Sequence, residues 1–187
     1  MKIITQPPKA GKLLISEPFL VDPNFKRTVI YLTEHDEHGS VGFIMNKPLK
    51  TSLGSIIEEL GSLDTHVYLG GPVQLDTLHF IHKIEAIKEG SVELSPGIYW
   101  GGDLELLKEY IKQNKVEKED IRFFIGYSGW TEGQLTSEVK DNSWIVTKFQ
   151  DNYLFNVASE KLWNKVLSDM GNDFKIISNF PEDPTLN

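Results

Sequence analysis

The chain has no cysteine among its 187 residues. That single absence excludes a disulfide framework, a zinc ribbon, a thiol nucleophile and CxxC redox chemistry together. It is compatible with a reducing compartment without proving one. Long apolar runs are also missing: nowhere do about 18 apolar residues stand together, the length a spanning helix needs. At the N-terminus Pro7-Pro8-Lys9 interrupts any stretch that would read as the apolar region of a signal peptide. Arginine is scarce, since Arg27 and Arg122 are the only two, and the formal net charge is −8. A nucleic-acid surface needs clustered cations for phosphates and arginine forks for bases. The expectations are therefore a soluble cytoplasmic protein, no membrane association and no direct nucleic-acid contact.

What is present suits one globular domain spanning 1–187. The 40% hydrophobic and 25% charged content lies near the globular average. A chain of this length buries roughly 70% of its unfolded surface, so it needs no metal or disulfide for stability.

Strands are expected at KLLIS (12–16), RTVIYLT (27–33) and SVGFIMN (40–46), the last two joined as a hairpin across Glu34–Gly39. Asn46-Lys47-Pro48 then breaks the ladder, because proline offers no donor. Leu53, Ile56, Ile57 and Leu60 follow the period of one helix face, with Ser52 as N-cap and Gly61 just past the end. Further strands are expected at HVYL (66–69), TLHFIH (77–82), IRFFIG (121–126) and WIVT (144–147), with one or two short ones within 84–99. Asp103 caps a helix with Leu104, Leu107, Tyr110 and Ile111 on its apolar face. Other helices are expected over 132–140 and from Ser159 to Gly171, and an extended tail over 180–187. Strands dominate early and helices intersperse later, which reads as α+β with a mixed, mostly antiparallel sheet.

The chemistry-bearing stretch is Gly126-Tyr127-Ser128-Gly129-Trp130. A nucleophile elbow reads G-x-S-x-G at a strand-to-helix turn; here the fifth position is Trp130. Local architecture accounts for much of it. Thr131 and Gln134 suit a capping box, and Trp130 with Leu135 a hydrophobic staple. The glycines flanking Tyr127-Ser128 exceed what capping requires, and glycine-accessible amides at a helix start suit an anion. Gly70-Gly71-Pro72-Val73 reads as a tight turn, with lining of the same cleft as its alternative. Neither glycine pattern is a nucleotide-binding motif. His35 and His38 sit in a polar hairpin loop that lacks the rigidity of a zinc site, and His79 and His82 point to opposite faces of a strand. No metal and no cofactor are expected. Arg27 opens an apolar strand and needs an acidic partner such as Asp22 or Glu34, or else a ligand anion.

With these residues in view the chain resembles the AlgH (YqgE-like) family of small bacterial proteins. The resemblance rests on Asp22, Phe25, Arg27, Thr28 and Val29, on Glu34-His35, Gly42 and Asn46-Lys47-Pro48, and on Gly70-Gly71-Pro72-Val73. It continues through TLHFIH, the Gly126–Leu135 segment, Trp144 and the Asp183–Asn187 ending. The resemblance implies a curved, largely antiparallel sheet forming a partial barrel flanked by helices. Some members carry the name of a transcriptional regulator, without a recognisable DNA-binding module. Alanine is common in the family where this chain has Ser128, which argues against a family-wide serine mechanism.

The functional expectation is a small-ligand or partner-binding module with an indirect regulatory role, more a binder than an enzyme. Its site is read as Arg27, Asn46, Gly70, Gly71, Gly126, Gly129, Trp130 and Gln134, taking a small anionic ligand or a partner's polar segment. The alternative is a hydrolase-type enzyme built on the Gly126–Gln134 cleft, with Ser128 as nucleophile or His35 as base.

Overall fold

In a computed structural model the structure describes residues 6–181. In chain order the strands are β1 (Lys12–Ser16), β2 (Val29–Asp36), β3 (Gly39–Ile44), β4 (Pro48–Ser52), β5 (His66–Leu69), β6 (Val73–His82), β7 (Ser91–Ser95) and β8 (Ile98–Gly101). Helix α1 (Leu104–Lys112) precedes the longest strand, β9 (Ile121–Thr131), and α2 (Gln134–Lys140) precedes β10 (Trp144–Lys148). After β10 come α3 (Asp151–Phe155), α4 (Ser159–Asp169) and α5 (Asn172–Ser178).

The strands form one ten-stranded sheet ordered β10-β1-β2-β3-β9-β6-β8-β7, coiled into a half-barrel. β9 is its spine. One edge of β9 takes β5 in parallel along Phe123–Ile125 and then β3 antiparallel along Ser128–Thr131, while the other edge takes β6. β4 hangs on β5. A strand this long can serve both halves because it bends at Gly126, whose φ is +64°. A Cβ there would lie 2.7 Å from the Val73 carbonyl oxygen and 2.8 Å from that of Gly71. The facing strand β6 shifts register between Val73 and Leu78 at the same point, and irregularities of this kind sharpen local twist.

Period-two alternation distributes the core. Leu13, Ile15, Tyr31, Phe43, Ile81 and Phe124 point into the half-barrel, which Leu162, Trp163, Val166 and Leu167 of α4 fill. The alternate residues face outward under two separate covers. Phe80 and Phe123 meet Leu107 and Ile111 of α1, and Leu14, Ile30 and Ile44 meet Leu135 and Val139 of α2. With both faces covered, β1 and the first half of β2 read as near-continuous apolar runs.

The hairpin, the α1 cap and the β5, β9 and β10 cores stand where expected; Asp103 accepts the Leu106 N–H at 2.9 Å. The helix expected over 53–60 is instead two 3₁₀ turns, Leu53–Ser55 and Glu58–Leu60, with Ile57 extended between them. Ser52 makes no side-chain cap and Gly61 is not left-handed. Gly54 and Gly61 pack backbone to backbone, since a Cβ on Gly54 would stand 2.7 Å from the Gly61 Cα. A short segment rich in Gly, Ser and β-branched Ile has little helical propensity to oppose that packing.

The second difference matters more. Gly126–Trp130 is no strand-to-helix turn; β9 runs on through Thr131, and α2 begins after Gly133, itself the N-cap at φ +70°. Half of the expected capping box survives, because Gln134 Oε1 accepts the Thr131 N–H at 3.0 Å. Ala158, not Ser159, is the N-cap of α4. The tail expected over 180–187 lies mostly outside the described residues, as does the Asp183–Asn187 motif.

Candidate functional site

Among the described residues, cavities lie at both ends of β9. The first, about 400 Å³, lies at the far end of β9 against the tip of the β2–β3 hairpin. Gly129, Trp130 and Thr131 form its floor, and Glu34, Asp36 and His38 rise beside them. The hairpin is fixed by Asp36, whose Oδ1 accepts the backbone N–H groups of His38 (2.8 Å) and Gly39 (3.2 Å), a side-chain-to-backbone turn natural to Asp. Gly39 lets it approach β9: φ is +149°, and a Cβ would fall 2.4 Å from the Trp130 carbonyl oxygen. His35 is tied to Ser40, Nδ1 to Oγ at 2.7 Å.

Pairing stops early here. β6 accompanies β9 only as far as Tyr127. Beyond it, Gly129–Thr131 have β3 on one edge and, among the described residues, no strand on the other.

The floor is held from below by one carboxylate. Glu138 Oε2 accepts the indole N–H of Trp130 (2.9 Å) and of Trp144 (2.8 Å), and its Oε1 accepts the Gln134 amide (2.9 Å). The two indoles meet edge to face, with centroids 5.9 Å apart, and Phe25 packs on both. Gln134 is thereby bound at both ends of its amide and belongs to the support of the groove.

The other residues singled out from the sequence are engaged in different places. Asn46 stands in for a ladder partner where β3 ends: its Oδ1 accepts the Val29 N–H and its Nδ2 donates to the Arg27 carbonyl, both at 2.9 Å. Arg27 sits in the left-handed region at φ +49°. Its guanidinium lies 4.7 Å from the Trp163 ring and donates to the Phe180 carbonyl, on the α4–α5 side of the molecule. Among the described residues neither Asp22 nor Glu34 pairs with it; a ring face and a carbonyl are its contacts, and its Nε is buried without a hydrogen-bond partner. Neither Arg27 nor Asn46 lines the groove that contains Gly129 and Trp130.

Gly70 and Gly71 are more than a tight turn. A Cβ on Gly70 would sit 2.3 Å from the Gly126 carbonyl oxygen, and one on Gly71 2.2 Å from that of Tyr127. Both glycines exist so that one backbone can lie on another. The Gly70 carbonyl accepts the Ile44 N–H (2.8 Å) and the Ser128 hydroxyl (3.0 Å). Ser128 is 0% exposed, so its Oγ faces a carbonyl and not a cleft.

The second cavity, about 280 Å³, opens between β5, the start of β9 and α3. Arg122 forms its inner wall with Tyr68 and Phe155, and Asp64, His66, Lys118 and Glu119 surround the mouth. Burial pushes the Arg122 guanidinium below its usual pKa. Sequence reasoning passed over Arg122 as a site; the signal available was an arginine inside IRFFIG, an otherwise apolar strand. His79 and His82 do point to opposite faces, toward Phe43 and Phe80 respectively. Among the described residues no group of three His, Asp or Glu side chains could hold a metal ion. No helix among them is long and apolar enough to cross a membrane.

The family model described as AlgH-like matches residues 13–175. The chain belongs to the AlgH-like family. Relatives of this AlgH-like chain include a UPF0301 protein of Cytophaga hutchinsonii, 43% identical over 95% of this chain and 98% of the relative. One of Chlorobaculum tepidum is 39% identical over 96% of each. The solution structure of the AlgH protein from Pseudomonas aeruginosa is 27% identical, covers 97% of this chain and 98% of that one, and superposes with a TM-score of 0.74. A crystal structure of a Corynebacterium diphtheriae protein, 21% identical over 95% of both chains, has a TM-score of 0.81 and shows the same fold.

Proposed function

We propose that this AlgH-like protein is a binding module that acts through a protein partner, and that the partner's contact is an extended, basic segment laid in the groove at the end of β9. One observation carries the reading. The cavity stands over the part of β9 that lacks a strand on one edge, and the exposed carboxylates beside it are Glu34 and Asp36. An unpaired strand edge recruits an extended peptide through main-chain hydrogen bonds, and flanking charges choose which peptide. With a chain net charge of −8, long-range attraction favours a cationic segment and repels nucleic acid, so a regulatory role is indirect.

Of the residues singled out from the sequence, Gly129 and Trp130 belong to this site. Gln134, through Glu138, and Gly70, Gly71 and Gly126, through the bend of β9, support it. The hydrolase reading has less behind it, because the Ser128 hydroxyl is buried and already donates to a carbonyl.

The test is fluorescence anisotropy with a labelled peptide alternating lysine and valine, against the same peptide with glutamate for lysine. The basic peptide binds, and the Glu34→Lys/Asp36→Lys double variant weakens it at least about tenfold. Equal affinity in that variant, or preference for the acidic peptide, refutes the assignment.

A further inference from the structure

Arg122 is 8% exposed. A guanidinium has five N–H donors and no acceptor. One donor, on Nη1, reaches the Met45 carbonyl at 2.9 Å, and the guanidinium carbon stands 4.3 Å from the centroid of the Tyr68 ring. Among the described residues the ion pairs are made by lysine and histidine side chains and none involves Arg122. Its guanidinium makes no other hydrogen bond among the described residues, and it lines the cavity. A carbonyl and a ring face partly compensate the charge, but a buried cation without an anion is a costly arrangement. It is also the arrangement that a bidentate oxyanion completes.

We propose that the cavity walled by Arg122, Tyr68 and Phe155 binds a small carboxylate-bearing molecule, its carboxylate taken by the free edge of the Arg122 guanidinium. The volume of about 280 Å³ suits a ligand of metabolite size. The rim decides between oxyanions. Lys118 and His66 are joined there by Asp64 and Glu119, so the mouth repels a phosphate dianion. The same two carboxylates can accept from an amino or hydroxyl group elsewhere on the ligand. A small zwitterion places its carboxylate inward on Arg122 and its ammonium outward between Asp64 and Glu119. This site is separate from the groove at the other end of β9, and either can fail without the other.

The two arginines of the chain make the test direct, because an arginine Nε–Hε NMR spectrum then holds two signals. The full chain is titrated at constant ionic strength with acetate, with glycine and with inorganic phosphate. Acetate and glycine shift the Arg122 signal saturably and leave the Arg27 signal in place, glycine binds more tightly than acetate, and phosphate binds more weakly than both. By isothermal titration calorimetry, which does not need the arginine signal, Arg122→Lys, which keeps the charge and removes the fork, weakens glycine at least about tenfold. Should that variant not fold, Lys118→Glu at the exposed mouth weakens both carboxylates. The proposal is overturned by no saturable shift with either carboxylate, by equal shifts at both arginines, by phosphate binding best, or by unchanged glycine affinity in a folded Arg122→Lys protein.

Discussion

Removing the Glu138 carboxylate should unlock the floor of the β9 groove. In Glu138→Ala two indole N–H groups lose the acceptor they share, and Trp130 and Trp144 are 7% and 2% exposed. A buried donor left unsatisfied costs about 1–3 kcal/mol, so the pair loses roughly 3 kcal/mol. The Gln134 amide is exposed and adds little. Alanine's better helix propensity in α2 returns only a few tenths of a kcal/mol. With a urea m-value on the order of 2 kcal/mol/M, the midpoint falls by about 1.5 M. Glu138→Gln keeps one carbonyl oxygen and should lose roughly 1 kcal/mol. Urea unfolding followed by tryptophan fluorescence and far-UV circular dichroism reads both. A midpoint shift under roughly 0.3 M for Glu138→Ala means that water serves these indoles, and the claim that one carboxylate holds the floor is then wrong.

Three further outcomes follow from the same contacts. Gly71→Ala drives a Cβ to 2.2 Å from the Tyr127 carbonyl and should prevent folding. Gly90→Ala, at φ +76° with nothing within 4 Å, should cost only about 1–2 kcal/mol; circular dichroism and thermal melts compare them. Ser128→Ala removes one hydrogen bond while the Gly70 carbonyl keeps the Ile44 N–H, so a loss of about 1 kcal/mol or less in urea and an unchanged fold are expected. His82 is held neutral by burial, its Nδ1 accepting from Ile84 N–H and its Nε2–H donating to the Gly101 carbonyl, with its pKa below the usual 6.5. The unfolded chain therefore binds more protons, and the stability His82 contributes is complete above pH 6.5 and lost as pH falls toward its lowered value. Urea midpoints at pH 7.5 and 5.5 should show this fall in the wild type and less of it in His82→Gln.

Local signals carried most of the fold. The β-branched and aromatic run of RTVIYLT and the Asp103 cap are properties of neighbouring residues, and both stand. What misled was context. Leu53, Ile56, Ile57 and Leu60 have helical spacing, but the contact of Gly54 with Gly61 is tertiary. The sequence GWTEGQL carries helix-entry chemistry, yet the pairing of Ser40 and Gly42 with Trp130 and Ser128 keeps β9 extended. Of the residues lining the proposed groove, Gly129 stands out as a glycine in excess of capping, and Trp130 reads as half of a hydrophobic staple. Arg27 and Asn46 belong to other contacts because their partners, Phe180 and Val29, are brought by the fold. Arg122 escaped notice because its burial and its contacts with Met45 and Tyr68 are made by the fold, which spacing does not reveal.

The binding account is tested most directly by placing a photo-crosslinking amino acid at Thr131, beside the unpaired edge of β9, and another at exposed Lys112 on α1. In cells, the Thr131 probe should give a defined crosslinked protein species that Glu34→Lys abolishes, and the Lys112 probe should not. Equal crosslinking at both positions, or a Thr131 product indifferent to Glu34→Lys, would contradict a partner seated in this groove.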